Sequence, residues 1–129
     1  MASIKRLDCR FVAAAVGGWS GGNAAVRLNN ESTLSVRVDS IDTQDGSARL
    51  LGAGGSSAFV VAQLRAWSLH ILETDTTGSI TVTTVFGQES RDGRLKAVHS
   101  RASFLPIDVR DFSAQPSASQ YYGDCEVGR

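Results

Sequence analysis

Apolar and polar residues alternate with period two along most of this chain, most cleanly between residues 66 and 104. Three runs stand out there: AWSLHILET (66–74), SITVTTVF (79–86) and RLKAVHSRASF (94–104). The connectors are DTTG (75–78) and residues 88–93, which end in Arg91-Asp92-Gly93. Runs rich in Val, Ile and Thr, punctuated by Asp and Gly, predict strands joined by tight turns, so this stretch reads as an antiparallel meander.

Upstream, Leu7, Cys9, Phe11, Ala13 and Ala15 share one parity, with Arg6, Asp8 and Arg10 on the other. One face of that strand belongs in a core and one in water. The run is expected to end in the glycine-rich loop GGWSGGN (17–23). Next, Ala24, Val26 and Leu28 alternate with Ala25, Arg27 and Asn29, and Leu34, Val36 and Val38 alternate with Ser35, Arg37 and Asp39. The Asn-rich segment between these two runs tolerates positive φ, so they read as a second hairpin. DTQDG (42–46) is a loop, 48–51 a short run and GAGGSS (52–57) a glycine-rich break.

Residues 57–73 admit two periods. As a helix, Val60, Leu64, Trp67 and Ile71 would form a stripe; as strand, Trp67, Leu69 and Ile71 would face away from Ser68 and His70. The tight link to the next run favours strand for the second half. The expected fold is therefore all-β, an antiparallel meander forming a β-sandwich or a partly closed barrel. The alternative is α+β, with one helix near 57–66 packed on a curved antiparallel sheet. Residues 1–112 form one β-rich domain in this reading, and 113–129 an extended or partly disordered tail, since that segment lacks a periodic pattern.

Length agrees with a single core, since 129 residues fall in the usual range for one domain. Thirteen Lys and Arg balance thirteen Asp and Glu, and the charges are interleaved. The basic stripe that neutralises phosphates in a nucleic-acid binder is absent, so no nucleic-acid partner is expected. No run approaches the length of a membrane span, and the first residues lack the apolar segment of a signal peptide. A cytoplasmic protein without a membrane partner is the expectation, or a secreted one if a leader has been trimmed. Near-zero net charge also weakens mutual repulsion, which is compatible with a homo-oligomer.

Cys9 and Cys125 are the only cysteines. They lack the C-x-x-C spacing of a structural zinc site. Two reduced thiols are the expectation, and a bridge pinning the tail to the first strand is the alternative.

Chemistry concentrates in few places. In GGWSGGN, Trp19 between glycines could stack on a sugar or aromatic ligand, with Ser20 and Asn23 as hydrogen-bonding neighbours. Tyr121 and Tyr122 put two aromatics into the polar tail. These five residues are the candidate ligand-binding positions. The loop is not a dinucleotide fingerprint, because its glycine order is wrong and no helix clearly follows. His70 and His99 fall on neighbouring runs among small polar residues, which fits solvent-facing strand positions. No metal-ligand spacing supports them, so no metal or cofactor is expected. Asp39, Asp42, Asp45, Asp108 and Asp111 do not follow the calcium-loop spacing, and loop aspartates commonly make Asx-turns. Asn30-Glu31-Ser32 matches the glycosylation sequon but reads as a turn. No Gly-x-Ser-x-Gly elbow is present, and no catalytic residues are assigned.

Three functions follow in order. The first is a non-catalytic binding module that recognises a carbohydrate or other small ligand through glycine-rich loops. The second is a self-assembling subunit that uses strand edges and the tail. The third is a small cyclase, isomerase or dehydratase with a cavity in a curved sheet, in which His99 and Arg101 share a parity opposite to that of Val98.

Overall fold

A computed structural model describes residues 1–31, 33–74, 78–104 and 116–129. Nine strands follow in order among the described residues: β1 (Arg6–Ser20), β2 (Asn23–Asn29), β3 (Leu34–Asp42), β4 (Ser47–Leu51), β5 (Ser57–Arg65), β6 (Ser68–Thr74), β7 (Ser79–Glu89), β8 (Leu95–Ser103) and β9 (Ser117–Gly128). A 3-10 turn at Ala53–Gly55 links β4 to β5. Strands β3 to β9 pair in sequence order, and β9 returns to pair with β1. The result is a closed, eight-stranded antiparallel barrel with β2 as an extra strand. Closure removes the two edges that an open sheet of this length would expose.

The meander expected over 66–104 is present as β6, β7 and β8. Its first strand begins later than expected. Ala66-Trp67 is a two-residue link, with Arg65 opposite Ser68, so Trp67 sits in the turn and is 81% exposed rather than aligned with Leu69 and Ile71. The turn from 75 to 77 lies outside the described residues.

Several expectations change. The helix near 57–66 is not formed: this segment is β5, paired on both sides with β4 and β6. Val60 and Ala62 point into the core while Phe59 and Val61 face out, the period-two pattern winning over the helical stripe. The segment 113–129 supplies β9, which pairs with β8 from Ser117 to Cys125 and with β1 from Ala118 to Gly128; residues 113–115 lie outside the described set. Its polar composition hides a strand because only alternate residues, Tyr121, Cys125 and Val127, join or pack on the core.

The second hairpin also differs. Residues 7–11 of β1 pair with β3, residues 14–20 pair with β2, and β9 occupies the opposite edge of β1 from Arg6 to Gly17. Strands β2 and β3 therefore lie end to end along one edge of β1 and not against each other. The cause is the length of β1, which continues to Ser20 through the glycines, so Gly21-Gly22 alone forms the turn to β2. Gly21 has φ of 62°, which suits the first central position of a two-residue hairpin turn.

The core fills the barrel towards one end. Leu7, Cys9, Phe11, Val38, Leu69, Val85 and Cys125 are essentially inaccessible to solvent. Ile4 closes that end: it is fully buried, and the adjacent Lys5 hydrogen-bonds through its backbone to Gly128 and Ile41. Cys9 and Cys125 are joined as a disulfide, in place of the two reduced thiols expected. No helix among the described residues is long and apolar enough to cross a membrane.

Candidate functional site

Towards the other end of the barrel the described residues leave a cavity, and the strand register shows why its lining is polar. Ile71 on β6 is opposite Thr83 on β7, which is opposite His99 on β8, which is opposite Tyr121 on β9. Side chains at directly opposed positions share a face, and Ile71 is in the core, so this whole rung points inward. The next rung towards that end carries Glu73, Thr81, Arg101 and Ser119. Against these rungs stand the aliphatic side chains of Leu34, Val36 and Leu50. Tyr121 and Ser119 apart, these side chains line a cavity of about 270 Å³.

His99 is the best-held polar group of this cavity. Its Nδ1 lies 2.8 Å from Thr83 Oγ1, and Thr83 is buried. The Phe11 ring packs at 5.6 Å in a tilted arrangement, and Tyr121 meets the imidazole edge-on at 6.0 Å. Burial lowers the His99 pKa below its ordinary value of 6.5, and the positive charge of Arg101 lowers it further. A neutral imidazole therefore lines the cavity near pH 7. Thr83 engages Nδ1, and Nε2 has no hydrogen-bond partner among the described residues.

Glu73 and Arg101 face each other across Thr81, about 10 Å apart from two inter-strand spacings. No ion pair joins them among the described residues. The site thus offers an aliphatic wall, a neutral imidazole, two hydroxyls and one charge of each sign.

The five residues singled out from the sequence are not brought to one place. Trp19 lies near the end of β1, half exposed, on the outer face. Ser20 and Asn23 flank the Gly21-Gly22 turn as a register pair, on the strand face opposite to Trp19. Tyr121 enters the barrel beside His99, whereas Tyr122 points outward and donates its hydroxyl hydrogen to Gln120 Oε1 at 2.7 Å. Tyr122 joins Trp67 and Phe86 along an open outer groove of about 720 Å³, with Gln88 and Lys96 as its polar partners.

The histidines separate in the same way. His70 faces outward, bonded to Ser68 Oγ at 2.8 Å and Thr84 Oγ1 at 2.9 Å, while His99 faces inward. The two imidazoles therefore cannot bind a common ion. The solvent-facing position expected for His99 is corrected, because its parity follows buried Ala97 and not Val98. That shared parity of 97, 99 and 101 was the available signal. What it lacked was knowledge of which face closes inward.

The loop aspartates have structural tasks. Asp42 Oδ1 accepts the backbone N–H groups of Gln44 and Asp45, an Asx-turn. Asp39 receives both Nε and Nη2 of Arg49 at 2.8 Å, which holds its carboxyl below the usual range. Asp108, Asp111 and Ser32 of the sequon lie outside the described residues. Among the described residues, no cluster of three or more metal-ligating side chains occurs.

The class defined by this geometry is a closed antiparallel barrel with an apolar core towards one end and, among the described residues, a cavity of mixed polarity towards the other. No protein-family model matches the chain, and no curated protein matches it significantly.

Proposed function

We propose that this protein is a binding module that takes a small organic acid in the cavity lined by His99 and Arg101. The observation that supports this reading is the convergence of Arg101, His99 and the Thr83 and Thr81 side chains on one cavity with an aliphatic wall. Barrel mouths are habitual ligand sites, and a few fixed polar groups among apolar ones give orientation as well as affinity. At about 270 Å³ the cavity is at the small end of ligand sites, which suits a compact molecule. In this reading Arg101 receives the carboxylate, His99 offers Nε2, and Leu34, Val36 and Leu50 cover the apolar body.

Calorimetry with a panel of small carboxylic acids and their neutral amides tests it. Acids should bind in preference to amides, Arg101→Ala should remove the preference, and Leu50→Trp should block binding by filling the cavity. Binding that survives both substitutions would refute the assignment.

A second reading keeps the carbohydrate partner. Trp67, Phe86 and Tyr122 present three exposed rings along the outer groove, and aromatic faces stack on sugar rings while Gln88 and Lys96 hydrogen-bond hydroxyls. Glycan binding that is lost with Trp67→Ala but retained with Leu50→Trp would favour this groove over the cavity.

A further inference from the structure

Strand β2 has one edge bonded to β1, and no strand pairs with its other edge among the described residues. Asn23 to Leu28 are all exposed, with Val26 at 74% and Leu28 at 79%. Proteins usually guard such an edge with Lys, Pro, a bulge or a covering segment. Here β2 contains neither Lys nor Pro, its register with β1 is unbroken, and its single charge is Arg27. Strand β3 lies further along the same edge of β1 and leaves this half uncovered.

In the residue order of β2, Asn-Ala-Ala-Val-Arg-Leu-Asn, Val26 is central, Asn stands at both ends, and a small Ala on one side answers each larger side chain on the other. We propose that two copies of this chain pair antiparallel through β2, with Val26 on the two-fold axis. In that register Asn23 meets Asn29, Ala24 meets Leu28, and Ala25 meets Arg27. Leu28 then faces the small Ala24, Val26 packs on its own symmetry mate, and neither Arg27 confronts its counterpart. All seven residues of β2 take part.

Other registers are worse. A slip by one residue turns the Val26 and Leu28 face of one copy against the Ala25 and Arg27 face of the other. A slip by two in one direction sets Arg27 directly against Arg27; in the other direction Leu28 has no strand partner. The favoured pairing is isologous, so it closes as a dimer and does not propagate into a fibre. It would join both barrels through one continuous sheet, and the zero formal net charge imposes no long-range repulsion between copies.

Sedimentation equilibrium on the full chain tests this, with Val26→Lys and Val26→Asp as paired variants. Position 26 is exposed, so both variants should keep the thermal unfolding midpoint of the parent barrel. The parent should be a dimer that dissociates on dilution. Each variant alone should raise the dimer dissociation constant about tenfold or more, because it meets its own charge. Mixing the two variants should restore a dimer holding one copy of each. A parent that stays monomeric at the highest attainable concentration overturns the proposal. So does a dimer indifferent to both variants, or a mixture that stays monomeric.

Discussion

Cys9 and Cys125 are directly opposed in the register of β1 and β9, with Cα atoms 3.9 Å apart, and a disulfide joins them. They are 116 residues apart in sequence, so the bridge staples the first strand of the barrel to the last. It fastens the one seam, β1 against β9, that closes the sheet on itself. Closing so long a loop lowers the entropy of the unfolded chain considerably.

Replacing both cysteines by alanine, which leaves no stray thiol, should lower stability by about 4 kcal/mol and the Tm by about 15 °C. Calorimetry of the two forms checks the size of the effect. Thiol titration of the denatured, unreduced parent should find no reactive cysteine; two reactive thiols would remove the bridge.

Gly123 stands opposite Phe11, next to the register shift between Phe11 and Ala13. A Cβ there would collide with the Arg10 carbonyl oxygen and come within 2.7 Å of Phe11 Cα. Those neighbours are backbone, which cannot swing aside. Gly123→Ala should therefore cost about 3 kcal/mol, read as a lower midpoint in urea with an unchanged m-value.

His99 makes stability depend on pH. Its folded pKa lies below the 6.5 of the unfolded chain, through burial and then Arg101, so the unfolded state binds the proton more readily. The contribution is full above pH 6.5 and is lost as the pH falls through the folded value. Between pH 7.5 and 5.5 the Tm of the parent should fall more steeply than that of His99→Gln. In Arg101→Ala the imidazole titration, followed by NMR, should move upward.

Asp124 lies on the outer face of β9 yet is buried, because the turn between β7 and β8 folds over it. Ser90 Oγ donates to Oδ2 at 3.1 Å and Arg94 Nη1 to Oδ1 at 3.2 Å, with Arg91 Nε at 3.7 Å. Asp124→Ala removes the acceptor that holds this turn. A loss of about 1–3 kcal/mol is expected, together with faster amide exchange between residues 90 and 94. Unaltered exchange there would show that the turn holds itself.

The strand content was legible in the sequence wherever alternation covered five or more residues. Ser79 to Phe86 is the clearest case, since Ile, Val and Thr leave no competing period. The turns at Gly21-Gly22 and Asp92-Gly93 were marked by residues that accept positive φ, and the structure finds it at Gly21, Asp92 and Gly93. The cavity was legible only in part: His99 and Arg101 were paired by parity, but Glu73 and Thr83 carried no signal. Thr83 gains meaning solely from standing opposite His99.

What the chain determined by itself is local: which residues extend, where the backbone turns, and which side chains share a face. The tertiary structure alone decided which face is the inside, that β2 and β3 share one edge of β1, and that a polar C-terminal segment closes the barrel. Period-two alternation sorts side chains into two faces without naming a partner strand. The pairing of β1 with β9 joins opposite ends of the chain, and only closure of the sheet assigns His99 and Arg101 to a cavity and leaves Val26 in water.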